Sequence, residues 1–154
     1  MEFIVSTIEE TLNIGKQVGS LVKPGDIICL TGDLGTGKTH MSKGIAEGLG
    51  ITEHITSPTF NIVNEYHSGR LNLYHFDVYR VNDPDEIYAI GFDEYIFGNG
   101  VSLIEWANYI EEIIPNEYLY INIKKIPEKG ENFRKITIEA FGPSYDYIKE
   151  IRLW

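Results

Sequence analysis

The sequence predicts an α/β protein: a mixed sheet, parallel at its core and extended by antiparallel hairpins, with helices on its flanks. Three observations carry this. The apolar run Asp26 to Thr31 leads through a glycine-rich loop into Met41, Ile45, Ala46 and Leu49, which recur at helical spacing. Segments 61–66 and 71–77, and again 118–126 and 133–141, alternate on either side of turn residues and read as hairpins. Val101 to Ile104 is a further short apolar run, of the kind a strand buried on both faces requires.

Taken in order, Glu2 to Ser6 alternates weakly and reads as a short strand. Ser6 or Thr7 can cap a helix to about Val22, with Glu9 and Glu10 in its first turn and Lys23-Pro24-Gly25 ending it. The strand–loop–helix unit follows and stops at Gly48 and Gly50. Thr56-Ser57-Pro58-Thr59-Phe60 is a polar segment pinned by one proline, and His67-Ser68-Gly69-Arg70 turns the first hairpin. Asp83-Pro84-Asp85-Glu86 is a helix start, with a cap, proline at the first position and acids in the first turn. That helix ends near Gly91, and Asp93 to Phe97 reads as another turn. Val101 to Ile104 ends in Glu105-Trp106. A helical turn to about Ile113 stops at Pro115, and Ser144 to Leu153 reads as a terminal helix.

The chain has 154 residues, which suits one domain spanning 1–154, and 43% of them are apolar. With 23 acidic against 13 basic residues the net charge is −10. No dense basic patch occurs, so a nucleic-acid backbone is not expected as a direct partner; the charge suits a basic protein partner or serves solubility alone. The single cysteine, Cys29, excludes a disulfide framework. No signal peptide and no apolar run near 18 residues is visible, so no membrane role is expected and the cytoplasm is the expected location.

The glycine-rich loop is Gly32-Asp33-Leu34-Gly35-Thr36-Gly37-Lys38-Thr39, a G-x-x-x-x-G-K-T phosphate-binding P-loop. Its glycines let successive N–H groups converge on one anion, and the following helix adds the positive end of its dipole. Lys38 reaches the β- and γ-phosphates, and the Thr39 hydroxyl is placed to ligate Mg²⁺. The expected fold is therefore a P-loop NTPase-like one.

Further candidates lie at strand ends. Asp77 and Glu105 close two apolar runs, at the edge where ligands bind in open α/β sheets. Each reads as a site carboxylate beside the phosphates; as alternatives, Asp77 caps a turn and Glu105 sits in solvent. Ser57 and Thr59, with Thr56, either sense the γ-phosphate or make a Ser-Pro turn. Trp106 flanks the nucleotide, forms a partner patch or packs in the core. His75 reads as a hydrogen-bonded strand histidine rather than a base. Arg80 is open between phosphate contact and a surface ion pair.

Several blocks together resemble one family: Gly32 to Thr39, Ser57-Pro58-Thr59-Phe60, Val63-Asn64-Glu65-Tyr66, His75-Phe76-Asp77-Val78-Tyr79-Arg80 and Ile104-Glu105-Trp106. In order and spacing, over nearly the whole chain, they look like the TsaE family, once called YjeE. These are small bacterial ATPases needed for threonylcarbamoyladenosine on tRNA. The resemblance implies ATP or ADP as ligand and Mg²⁺ held by Thr39 and Glu105. Lys38, Asp77 and Glu105 would serve catalysis, with Asp77 in the Walker B role. Residues 34–40 (Leu34, Gly35, Thr36, Gly37, Lys38, Thr39, His40) would wrap the phosphates, and Asp33 would also bind the nucleotide. Ile8 to Thr11 would lie against the adenine with Asn132 to Arg134 near it, Ser57 and Thr59 would form a switch-like loop, and Trp106 would sit at the nucleotide. It also implies work with TsaD and TsaB, which an ATPase cycle resets between turnovers, and contact with tRNA only through them. Thr36 stands where alanine is usual and His40 where threonine is common; both positions contribute mainly backbone N–H groups.

Two other functions remain open at this point. A nucleoside or small-molecule kinase needs a lid and several clamping arginines, and the chain has Arg70, Arg80, Arg134 and Arg152 only. A nucleotide-dependent regulator without useful turnover needs nothing that the sequence lacks.

Overall fold

The computed structural model describes residues 1–33, 35–58, 61–79, 81, 83–105 and 111–153. They form one seven-stranded sheet with helices on both faces. The elements are β1 (Glu2–Val5), α1 (Ile8–Leu21), β2 (Ile27–Gly32), α2 (Lys38–Gly48), β3 (Val63–Tyr66), β4 (Leu73–Asp77), α3 (Pro84–Tyr88), α4 (Phe92–Ile96), β5 (Val101–Glu105), β6 (Tyr118–Lys125) and β7 (Arg134–Phe141). The strand order is β1-β7-β6-β2-β5-β4-β3.

The four central strands β6, β2, β5 and β4 are mutually parallel. β7 and β1 extend one side and β3 the other, all antiparallel. This is the expected mixed sheet, with one feature that local pattern does not encode: the second hairpin joins the core through a parallel pairing of β6 with β2, from Ile28↔Leu119 to Gly32↔Ile123. That pairing decides what meets at the site. Parallel strands end on one edge, so β2, β4, β5 and β6 all finish together. The β6–β7 turn therefore lies on that edge, with Arg134 beginning β7. Because Val5 pairs with Arg134, the end of β1 and the start of α1 arrive there too.

The core has two layers. Ile28 and Leu30 of β2 face α1 and α2 on one side, with Leu103, Leu119 and Ile121. Ile27 and Cys29 face the other, with Phe76, Ile104 and the apolar sides of α3 and α4. This double burial explains why β2 is an uninterrupted apolar run. α1 starts where Thr7 accepts the N–H of Glu10 and Glu10 in turn accepts the N–H of Ser6. α1 and α2 cross through Gly15, Gly19, Gly44 and Gly48; a methyl group on any of these would run into a backbone carbonyl of the other helix.

Three expected boundaries change. The strand expected from Asn61 begins at Val63, because the Asn61 and Ile62 N–H groups both turn back to the Pro58 carbonyl. Ile62 there has φ 70°, a strained value for a β-branched residue. The strand expected from Leu71 begins at Leu73. The terminal α-helix is instead a 3₁₀ segment, Pro143–Glu150. Its buried residues, Tyr145 and Ile148, are three apart, as a three-residue turn demands, and Ile151 continues the spacing just beyond it.

Candidate active site

One cavity of about 630 Å³ opens at the carboxyl edge of the parallel strands. It is lined by Ser6 to Glu9, Gly35 to His40, Ser57, Asp77, Glu105, Asn132 and Arg134. The local reasons differ from element to element. Gly35 and Gly37 take φ of 80° and 112°, which only glycine adopts readily, and bend the loop so that α2 starts at Lys38. A Cβ on Gly37 would meet nothing within 4 Å, so open space lies above the loop where a phosphate would sit. Thr36 is buried and staples the loop: its hydroxyl donates to the Asp33 carbonyl at 2.8 Å.

Lys38 is buried, and its ammonium donates to the Gly32 and Asp33 carbonyls. Burial pushes its pKa below the ordinary lysine value, while the charges of Glu105, Asp77 and Asp33 pull it back up. Asp77 and Glu105 are register partners at the ends of β4 and β5, both buried. Asp77 also caps its own turn, its Oδ1 accepting the Tyr79 N–H at 3.0 Å, as the capping alternative expected. Glu105 does not sit in solvent. Its Oε2 lies 2.9 Å from His75 Nε2. Arg134 donates from Nε to the Thr36 carbonyl at 3.1 Å and from Nη2 to the Gly35 carbonyl at 3.4 Å, tying the second hairpin to the loop.

The residues present suit a polyphosphate with a hard cation. Thr39, Asp77 and Glu105 offer oxygen donors of the kind Mg²⁺ prefers. Among the described residues no group of three or more His, Cys, Asp or Glu could hold a metal unaided. A P-loop cation needs only one or two protein ligands, since phosphates and water complete its shell.

Of the residues expected at the site, Ile8, Gly35, Thr36, Gly37, Lys38, Thr39, His40, Ser57, Asp77, Glu105, Asn132 and Arg134 line this cavity. Two do not. Thr11 is buried within α1, one turn too far along the helix to reach the opening. Asp33 borders a second cavity of about 520 Å³ on the opposite sheet face, with Cys29, Thr31, Tyr118 and Tyr120. Leu34, Thr59 and Trp106 lie outside the described residues, as does Arg80. Sequence reasoning missed Ser6 and Thr7 as cavity residues, and missed the contact between His75 and Glu105; Glu9 falls within the expected segment Ile8 to Thr11. The signal for the first two was the helix cap itself, which sets the start of α1 at the cavity.

Comparison with known proteins agrees with this fold. Residues 5–136 match the family model described as "Threonylcarbamoyl adenosine biosynthesis protein TsaE". The tRNA threonylcarbamoyladenosine biosynthesis protein TsaE of Bacillus subtilis (strain 168) is 51% identical over 142 residues, covering 92% of this chain and 87% of the relative. The protein of the same name from Treponema pallidum is 38% identical over 138 residues, 90% and 99% of the two chains. A crystal structure of Bacillus subtilis YdiB superposes with a TM-score of 0.84 at 45% identity, covering 97% of this chain and 91% of that one. On a family-model match over most of its length and relatives matched nearly end to end, the chain belongs to the TsaE family.

Proposed function

We propose that the cavity binds ATP with Mg²⁺ and hydrolyses it, and that this ATPase serves threonylcarbamoyladenosine formation on tRNA by acting on a TsaD–TsaB complex, without itself transferring the group. One observation carries the reading: a glycine-bent loop, Lys38, the Thr39 hydroxyl and two register-paired carboxylates converge on one cavity. Family membership supports the pathway. The partners follow from the resemblance described above. The net charge of −10 favours a protein over tRNA as the direct contact.

In this reading the loop N–H groups and the start of α2 hold the phosphates of ATP. The Lys38 ammonium exchanges the Gly32 and Asp33 carbonyls for phosphate oxygens. Mg²⁺, held by Thr39 and Glu105, supplies charge neutralisation at the β- and γ-phosphates. Asp77, fixed by the Tyr79 N–H, orients the water that attacks the γ-phosphorus. The bond to the β–γ bridging oxygen breaks, leaving ADP and inorganic phosphate. Ile8 at the start of α1, with Asn132 and Arg134 opposite, borders the space left for the nucleoside.

The test is steady-state ATP hydrolysis by the protein alone and with its organism's TsaD–TsaB pair, run beside Asp77→Ala. Strong stimulation by the pair that Asp77→Ala abolishes is the expected result. Tight ATP binding with neither hydrolysis nor stimulation would overturn the reading and turn attention to a phosphoryl acceptor.

A further inference from the structure

We propose that His75 is a positioning residue for Glu105: its Nε2–H holds one carboxylate oxygen so that the other is presented to the cation. The inference rests on the reading of Glu105 as a metal ligand. His75 lies on β4 two residues before Asp77, on the same face of the sheet, and so one layer deeper than the carboxylate pair. Its Nε2 is 2.9 Å from Glu105 Oε2, and the two side chains are only 3% and 8% exposed.

The tautomer follows from the surroundings. A carboxylate can only accept, so the shared proton belongs to Nε2. Nδ1 is buried without a hydrogen-bond partner among the described residues. The contact orients Glu105 from behind, as outer partners of metal ligands commonly do. A histidine serving only to fill the core would not need its one donor aimed at a carboxylate that lines the cavity.

The test uses the full chain and Mn²⁺ in place of Mg²⁺, read by electron paramagnetic resonance with a non-hydrolysable ATP analogue present. His75→Leu is expected to weaken Mn²⁺ binding roughly tenfold or more, with metal-free analogue affinity unchanged. His75→Gln, which returns an N–H near the same place, should recover most of the loss. In the wild type, long-range ¹⁵N–¹H correlation should show a proton on His75 Nε2, a readout that stands even if His75→Leu fails to fold. Wild-type Mn²⁺ affinity in folded His75→Leu, or an Nε2 that carries no proton, would overturn the proposal. If Glu105→Gln loses Mn²⁺ while His75→Leu keeps it, the metal reading survives and only the role of His75 falls. If Glu105→Gln binds Mn²⁺ as the wild type does, both fall.

Discussion

Asp77 and Glu105 are partners in register at the last position of two adjacent parallel strands. Neighbouring strands lie about 4.8 Å apart, so the two carboxylates leave the sheet side by side. The Lys38 ammonium already couples to both, and in the proposed function a bound cation would relieve their repulsion further. Mg²⁺ with ATP at about a hundred times the Kd should therefore stabilise the fold by about 2.7 kcal/mol, seen as a rise in Tm. Chelating the metal should remove much of the rise in the wild type and little in Glu105→Gln. An equal response of the two proteins to chelation would exclude Glu105 from the metal shell.

Lys38→Ala removes the one buried ammonium among the residues lining the cavity. A charged hydrogen bond contributes about 1.5–3 kcal/mol, so ATP affinity should fall roughly 10- to 150-fold by titration calorimetry. Unchanged affinity would remove Lys38 from the site.

Arg134 holds the Thr36 and Gly35 carbonyls with two nitrogens of one planar group. Arg134→Ala should loosen the loop and weaken ATP binding by about tenfold, roughly the value of one charged hydrogen bond. Arg134→Lys should rescue it poorly, since an ammonium cannot span both carbonyls with the same fixed fork. Full rescue by lysine would show that charge alone matters.

Glu10 and Asp26 titrate with opposite consequences for stability. The Ser6 backbone N–H lowers the Glu10 pKa below 4.5, so its contribution is present above 4.5 and lost as pH falls through the folded-state value. Burial raises the Asp26 pKa above 3.8, so its contribution is full below 3.8 and lost as pH rises through the folded-state value. Denaturant melts across this acid range should show Glu10→Gln matching the wild type at the acid end and falling below it as pH rises. Asp26→Asn, which still accepts from the Lys23 N–H and the Tyr147 hydroxyl, should gain on the wild type over the same rise. A pH-independent gap in either variant would contradict the assigned shift.

Gly19→Ala places a methyl group against the Ile45 carbonyl across the helix crossing. Overpacking of this kind costs about 1–3 kcal/mol, and backbone yields less than side chain does, so the upper end is expected. Ser20→Ala, exposed one residue on, should be close to neutral. Equal Tm values for the two variants would mean that the helices part easily.

What the sequence revealed about the site was what contiguous residues encode. The P-loop is one run of eight residues, and Asp77 and Glu105 are acids that end apolar runs. The fold class was legible for the same reason, since both hairpins and the strand–loop–helix unit are local. Ser6 and Thr7 were not legible, because they reach the cavity only through the pairings of β6 with β2 and of β1 with β7. His75 was hidden by its own pattern: it alternates with apolar residues as any core position does. The 3₁₀ ending was missed because residues three apart also fit an α-helical stripe.

The four-glycine crossing has a mechanical consequence. α1 begins at Ile8, at one end of the cavity, and α2 begins at Lys38, at the other. With their backbones in contact the two helices behave as a single beam, and the two walls they carry keep a constant gauge.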